Sequence, residues 1–353
     1  MHKRSSHFVL PRTLRALLAL SLAAATLGCA SGGQRSLGMI AGPINDPSNR
    51  SLRREILAYG LDEFCHQMTT HTAPLALADD APAVGRFFPQ RCAKQELEDG
   101  NLFVRFGGVG YAYTNVTKKM SFSVEGAIEY NQDFKMVGST MYAYFRTKRV
   151  QSSQFSVRAI EQPVASLFHQ ANPIADSIGR QLVVEKMRGG FTVIREPNGS
   201  ADFGLGLIAV GKRPPHPFDV TGDDRLTIEN ARVEVYPEQR DFAGPVEIDD
   251  DDRALFLTVR VDGASTVDVL VLRKDVAEMS LGAYVQNALV TPLSGPPVFD
   301  DVVQAGVEYR RTLPLPKGLY YVVFDHSRSA GRSAPTSASA AVVSYALQVG
   351  DVP

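Results

Sequence analysis

Met120-Ser121-Phe122-Ser123-Val124-Glu125-Gly126-Ala127-Ile128-Glu129-Tyr130 runs at period two, with Met120, Phe122, Val124, Ile128 and Tyr130 on one side and Ser121, Ser123, Glu125 and Glu129 on the other. Successive side chains of a strand point to opposite faces, so this pattern is that of a strand lying half-buried on a core. Working outward, similar runs predict strands at Leu102 to Phe106, Gly110 to Asn115, Thr140 to Thr147, Gln154 to Glu161, Phe191 to Arg195 and Phe203 to Val210. The apolar faces carrying Phe122, Val124, Ile128, Tyr142, Tyr144 and Phe155 are expected to fill an ordinary core. Before the first strand, Leu52, Ile56, Tyr59, Phe64 and Met68 recur at helical spacing and predict an amphipathic helix over Ser51 to Met68. A second is predicted over Pro173 to Arg188 from Ile174, Ile178, Leu182, Val183 and Met187. The stretch Pro74 to Pro89 has no periodicity and is expected to be a loop. Residues 51–212 thus form an expected α+β domain, an antiparallel sheet with two amphipathic helices.

Gly211-Lys212-Arg213-Pro214-Pro215-His216-Pro217 interrupts helix and central strand alike, which places a domain boundary there, with the division at 212/213 and separate cores on either side. Beyond it, short runs separated by turn residues predict a β-sandwich over residues 213–353, with no helix of consequence. The candidate strands are Thr227 to Tyr236, Gly244 to Ile248, Ala254 to Val261, Thr266 to Arg273, Val307 to Leu313, Leu319 to Phe324 and Val342 to Val349. Within this region Leu313-Pro314-Leu315-Pro316-Lys317-Gly318 feeding Leu319 to Asp325 resembles the turn and strand of bacterial pre-peptidase C-terminal modules and Golgi-dynamics-type sandwiches, which implies an accessory binding module. The element order of the first domain loosely resembles the tubular lipid-binding lipoproteins, which implies an apolar groove.

The N-terminus carries Lys3, Arg4, Arg12 and Arg15 ahead of an apolar run from Ala16 to Gly28, too short to span a bilayer as a helix and ending at Cys29. Ala25-Thr26-Leu27-Gly28-Cys29 resembles the lipobox of bacterial lipoproteins, with Thr26 where that family more often has leucine. The resemblance implies a signal peptide over 1–28, acylation of Cys29 and an envelope location. Ala30, in place of the aspartate that signals inner-membrane retention in many Gram-negative bacteria, implies the outer membrane. Residues 29–50 are small, polar or turn-forming and predict a flexible tether. Without the leader the chain has 33 basic against 38 acidic residues, a formal charge of −5, which gives no general attraction for nucleic acid or anionic headgroups.

Cys65 and Cys92 are the other two cysteines. In an oxidising compartment they are expected to form one disulfide. His66 and His71 lie nearby, but their spacing fits no familiar zinc set, so no metal is expected. Gly206 and Gly211-Lys212 fail as a phosphate loop, because Arg213 stands where Ser/Thr would reach Mg²⁺ and prolines follow. Gly107, Gly108 and Gly110 lack dinucleotide spacing and mark a bulge or bend. Asp249 to Asp252 reads as a solvated hairpin tip rather than a calcium loop. Asp325-His326-Ser327 has the residue types of a relay, but neighbours on a strand point apart.

Function is accordingly expected to be that of an envelope scaffold or interaction protein that is not an enzyme, has no cofactor and binds an unidentified envelope protein or apolar ligand. A periplasmic carrier of lipid or another apolar ligand, held in the first domain, is the alternative. An enzyme with an unrecognised site is the third reading.

Overall fold

In a computed structural model the described residues are 41–62, 64–76, 81–115, 117–162, 188–220, 225–336 and 338–352. Cys29, the leader and most of the expected second helix lie outside them. The fold is predominantly β, built from large sheets.

Three short helices precede the sheet: α1 (Ala41–Asn45), α2 (Arg50–Asp62) and α3 (Phe64–Thr70). The helix expected over Ser51 to Met68 is covered by α2 and α3 apart from residue 63, which lies outside the described residues, and residues 41–50, expected as tether, belong to the fold. Ile44 is fully buried against Phe134 and Met136. Asn45 pairs with the backbone of Met136 in both directions, 2.7 and 2.8 Å.

The strands of the first half are β1 (Ala73–Ala76), β2 (Ala83–Glu96), β3 (Leu102–Thr114), β4 (Lys118–Val137), β5 (Thr140–Ile160), β6 (Phe191–Arg195) and β7 (Ala201–Leu205). The alternating run that opened the reading is the middle of β4, which extends to both sides of it. What the sequence divides into two strands before Met120 and two after Thr140 are the single long strands β3 and β5. The β4–β5 ladder shifts register at Ser121/Phe122, Ala127/Ile128 and Glu129/Tyr130. Each bulge changes which parity of β5 faces inward, hiding its continuity from a period-two reading. Phe145 joins Phe122, Val124, Ile128 and Tyr130 in one core cluster, with Phe155 packed against it. Tyr142 and Tyr144 lie beside Ile194 and Thr192 on the opposite face, a correction to the expected apolar face.

The stretch Pro74 to Pro89 is not a loop, because β1 and the start of β2 pair within it. Pro74 is tolerated in a short edge strand, and Pro89 sits where β2 shifts register against Gly107 and Gly108 of β3. The glycines thus do mark an irregularity, and they also leave room for neighbours. A Cβ on Gly108 would lie 2.2 Å from the Phe88 carbonyl oxygen, and one on Gly110 would lie 2.6 Å from the Phe122 ring.

The second half has β8 (Leu226–Val235), β9 (Gln239–Ile248), β10 (Arg253–Asp262), β11 (Thr266–Arg273), helix α4 (Lys274–Gln286), β12 (Phe299–Gln304), β13 (Tyr309–Pro314), β14 (Gly318–His326) and β15 (Ala341–Asp351). Two sheets face each other, β13-β10-β15-β8 and β12-β11-β14-β9, with Leu255, Leu257, Val269, Phe324, Val343 and Leu347 among the core between them. The helix corrects the all-strand expectation. Ala277, Ser280, Leu281, Tyr284 and Val285 are its buried face, and the small and polar members dilute the apolar stripe that would have announced it. Pro245, within β9, is accommodated because β9 is an edge strand with a register shift opposite Tyr320 and Val322. Asp249 to Asp252 are exposed as expected, but they connect β9 of one sheet to β10 of the other and so form an inter-sheet turn rather than a hairpin tip.

The 212/213 position falls between β7 and β8, yet the cores on either side are not separate. β2 and β8 meet in a parallel bridge at Ala83 and Val233, joining the first half's strands to the sandwich in an eleven-stranded sheet among the described residues. A further cluster combines Phe88 and Tyr111 of the first half with Phe242, Leu270, Tyr284 and Val323 of the second. No helix among the described residues is long and apolar enough to cross a membrane.

Candidate functional site: a buried polar junction

Arg86 lies on β2 in the apolar run Ala83-Val84-Gly85-Arg86-Phe87-Phe88 and is 0% exposed. Burying a guanidinium is costly unless its charge and donors are met. Here all are met. Nε lies 3.2 Å from both Asp241 oxygens, Nη2 donates to Asp241 Oδ2 at 2.7 Å and to the Tyr345 hydroxyl at 2.6 Å, and Nη1 donates to Glu229 Oε1 at 2.7 Å and to Thr72 Oγ1 at 2.9 Å. This accounts for the five N–H groups of an arginine. The Tyr345 hydroxyl in turn donates to Glu229 Oε1 at 2.5 Å. Tyr111, beside Arg86 in the β2–β3 register, donates to Asp241 Oδ1 at 2.7 Å and accepts from the Phe242 N–H at 3.0 Å.

Burial by itself would lower the Arg86 pKa, but the charges of Asp241 and Glu229 outweigh it and hold the group well above its ordinary value. Burial raises the Tyr111 and Tyr345 hydroxyls well above theirs. Thr72 and Tyr111 belong to the first half; Asp241, Glu229 and Tyr345 belong to the second.

A second group adjoins it. Lys119 of β4, 1% exposed, donates to the Tyr284 carbonyl of α4 at 2.9 Å, and its Nζ lies 3.9 Å from the centre of the Tyr284 ring. The Tyr284 hydroxyl donates to Gln239 Oε1, and Gln239 Nε2 donates to Glu161 Oε2 at 2.6 Å. Arg240 Nε is 2.8 Å from Asp325 Oδ2, both side chains fully buried. Arg240 Nη1 has no protein partner. Lys119, Gln239, Arg240, Asp241 and Tyr284 are among the residues lining a void of about 20 Å³. That is room for about one water, which such a polar site can hold.

Desolvation lowers the Lys119 pKa from 10.5 to about 8, with Glu161 opposing and Arg240 reinforcing the shift. A lysine whose native pKa is depressed contributes stability that is present above its unfolded value and lost as pH falls through the native value. Stability from this group is therefore expected to rise between pH 8 and 10.5. Lys119→Met should remove a slope of up to about 1.4 kcal/mol per pH unit. Urea titrations of both proteins from pH 8 to 9.5, below the ordinary tyrosine range, read the difference; parallel pH profiles would contradict the assignment.

Of the residues singled out in the sequence, Asp325 and Ser327 reach this junction, through Arg240, in a role the sequence did not indicate. Cys65 of α3 and Cys92 of β2 form a disulfide with Cα atoms 5.2 Å apart, pinning helix to strand rather than to a loop. Ser327 Oγ donates to Asp325 Oδ1 at 2.6 Å, whereas His326 Nδ1 faces the Val235 carbonyl oxygen at 3.1 Å, so the three side chains form no relay. An open groove of about 540 Å³ beside Leu97, Asp99, Glu129 and Arg149 is crossed by Lys148, which pairs with Asp99 and Glu129 at 2.9 Å each. The sequence reading missed the junction. A charged residue inside the apolar run at Arg86 and another next to Met120 at Lys119 were the available signals.

No family model and no curated protein matches the chain. Among solved structures, a GH32 β-fructofuranosidase from Bombyx mori aligns over 75% of this chain and 66% of its own, at 9% identity and a TM-score of 0.15. The chain thus spans just under two thirds of that structure. The expectation that the protein is not an enzyme is withdrawn, since a likeness so slight supports neither an enzyme nor a non-enzyme.

Proposed function

We propose that the chain is a bacterial envelope lipoprotein, held at the outer membrane by acyl chains on Cys29, whose folded part acts as a scaffold or binds an envelope partner. The observation that carries this is the Gly28-Cys29 junction behind a basic leader and a short apolar run. Stable anchoring needs at least two acyl chains. Fold begins by Ala41, and the residues between it and Cys29 can extend to roughly 40 Å at most. The body would work close to the bilayer surface.

The finer domain reading belongs to the same proposal: an α+β unit up to residue 212, beginning by Ala41 rather than at residue 51, and a β-sandwich over 213–353 that presents the accessory surface. Periplasmic carriage of a lipid or other apolar ligand is the second reading, favoured by the aromatic inner face of the first sheet. There Phe145 and Phe191 stack with centroids 4.5 Å apart, Phe191 lies 5.3 Å from Phe203, and Phe203 is 52% exposed.

Cells grown with radioactive fatty acid should label the parent protein, whereas Cys29→Ser should lose the label and leave the membrane fraction. Unchanged labelling of Cys29→Ser would sink the anchoring. Mass spectrometry of the protein purified from detergent extract separates the two roles: a co-purifying protein supports the scaffold, and a stoichiometric lipid supports the carrier.

A further inference from the structure

The proline-rich segment 211–218 joins the halves, and it is strapped down at both of its sides. Asn230 of β8 donates through Nδ2 to the Phe218 carbonyl oxygen at 2.8 Å. Arg213 pairs with Glu196 and approaches Asp202 Oδ2 at 3.6 Å. Between these lies His216, whose side chain is 23% exposed. Its Nδ1 is 2.9 Å from the Asn230 carbonyl oxygen on β8, and its Nε2 is 3.3 Å from Asp202 Oδ2 on β7.

Both oxygens are acceptors only. A neutral imidazole has one N–H and one lone pair, so it can serve one of them and must turn the lone pair on the other. Only the imidazolium satisfies both. We propose that His216 is a pH-operated clasp, which when protonated ties the 211–218 strap to β7 of the first half and β8 of the second, and on losing a proton to solvent lets one side go.

The charged groups acting on the ring support this. The hydrogen bond to Asp202 raises the His216 pKa above 6.5, and the Asn230 carbonyl oxygen acts in the same direction, while burial and the Arg213 charge oppose them. Glu196 bears on the ring through Arg213. A histidine whose native pKa is raised contributes stability that is complete below its unfolded value and disappears as pH rises through the native one. The clasp is closed in acid and opens on the alkaline side of the ring's midpoint. A strap that opens there would loosen the connection between the halves.

The test uses the full chain. Exchange at the C2 position of the His216 ring, followed against pH by mass spectrometry, reads the midpoint in the unaltered protein. A midpoint above 6.5, moving down in Asp202→Asn, is expected. Backbone hydrogen exchange over residues 199–218, corrected for its intrinsic pH dependence, should lose protection across the same window, and His216→Gln should show no such transition. A wild-type midpoint at or below 6.5 would overturn the clasp, as would a midpoint indifferent to Asp202→Asn or a protection transition that persists in His216→Gln.

Discussion

Arg86→Ala is expected to lower the unfolding free energy by about 3 to 5 kcal/mol, the cost of leaving buried carboxylates without their cation. Asp241 has a side chain 3% exposed and would keep only the Tyr111 hydroxyl and water, while Glu229 would keep Tyr345. The loss comes from uncompensated charge rather than from the worth of the pair. Arg86→Met combined with Asp241→Leu, which removes both charges and keeps apolar volume, should therefore recover much of it. Urea unfolding of the three variants measures this. A loss under about 1 kcal/mol for Arg86→Ala would mean that the network is not what holds the junction. The acceptors of Arg86 come largely from beyond residue 213, so a fragment of residues 51–211 would expose the same guanidinium together with Phe88 and Tyr111. The two halves are expected to unfold in one transition, and a separate early transition of the first half in the wild-type chain would count against their coupling.

Removing the disulfide is expected to cost about 3.5 kcal/mol on the chain-entropy relation, since Cys65 and Cys92 are 27 residues apart in sequence. Cys65→Ser with Cys92→Ser should lower the unfolding free energy by that amount, and the unreduced, denatured parent should offer neither thiol to an alkylating reagent. The tie adds to the packing of Phe64 and Met68 on the core, since α3 is short and none of its residues is fully buried. Stoichiometric alkylation of both cysteines before reduction would remove the disulfide from the account.

Much of the strand content was legible because a half-buried strand writes its two faces into the sequence. Thr266 to Arg273 and Phe191 to Arg195 were read at the bounds the structure gives them, and Met120 to Tyr130 fell inside β4. The disulfide followed from the count of cysteines, and the solvation of Asp249 to Asp252 from four consecutive charges between two apolar runs, though the turn they make joins two sheets rather than one hairpin. Where bulges interrupt the β4–β5 ladder, parity changed and the reading split β5 or assigned Tyr142 and Tyr144 to the wrong face.

Burial of charge left only a faint mark. Beyond its place in an apolar run, nothing local distinguishes Arg86 from a solvated arginine, because the partners that make its burial tolerable lie as far away as Tyr345. The same holds for Lys119, whose acceptor is on a helix that the sequence pattern did not announce. By itself the sequence determined much of the strand content and the covalent cross-link, since those follow from residue types within reach of one another along the chain. Only the tertiary structure decided that the two halves share a sheet and a charged core. That choice rests on pairing carboxylates with cations from remote strands, and the energy of such a pair exists only once both are withdrawn from water.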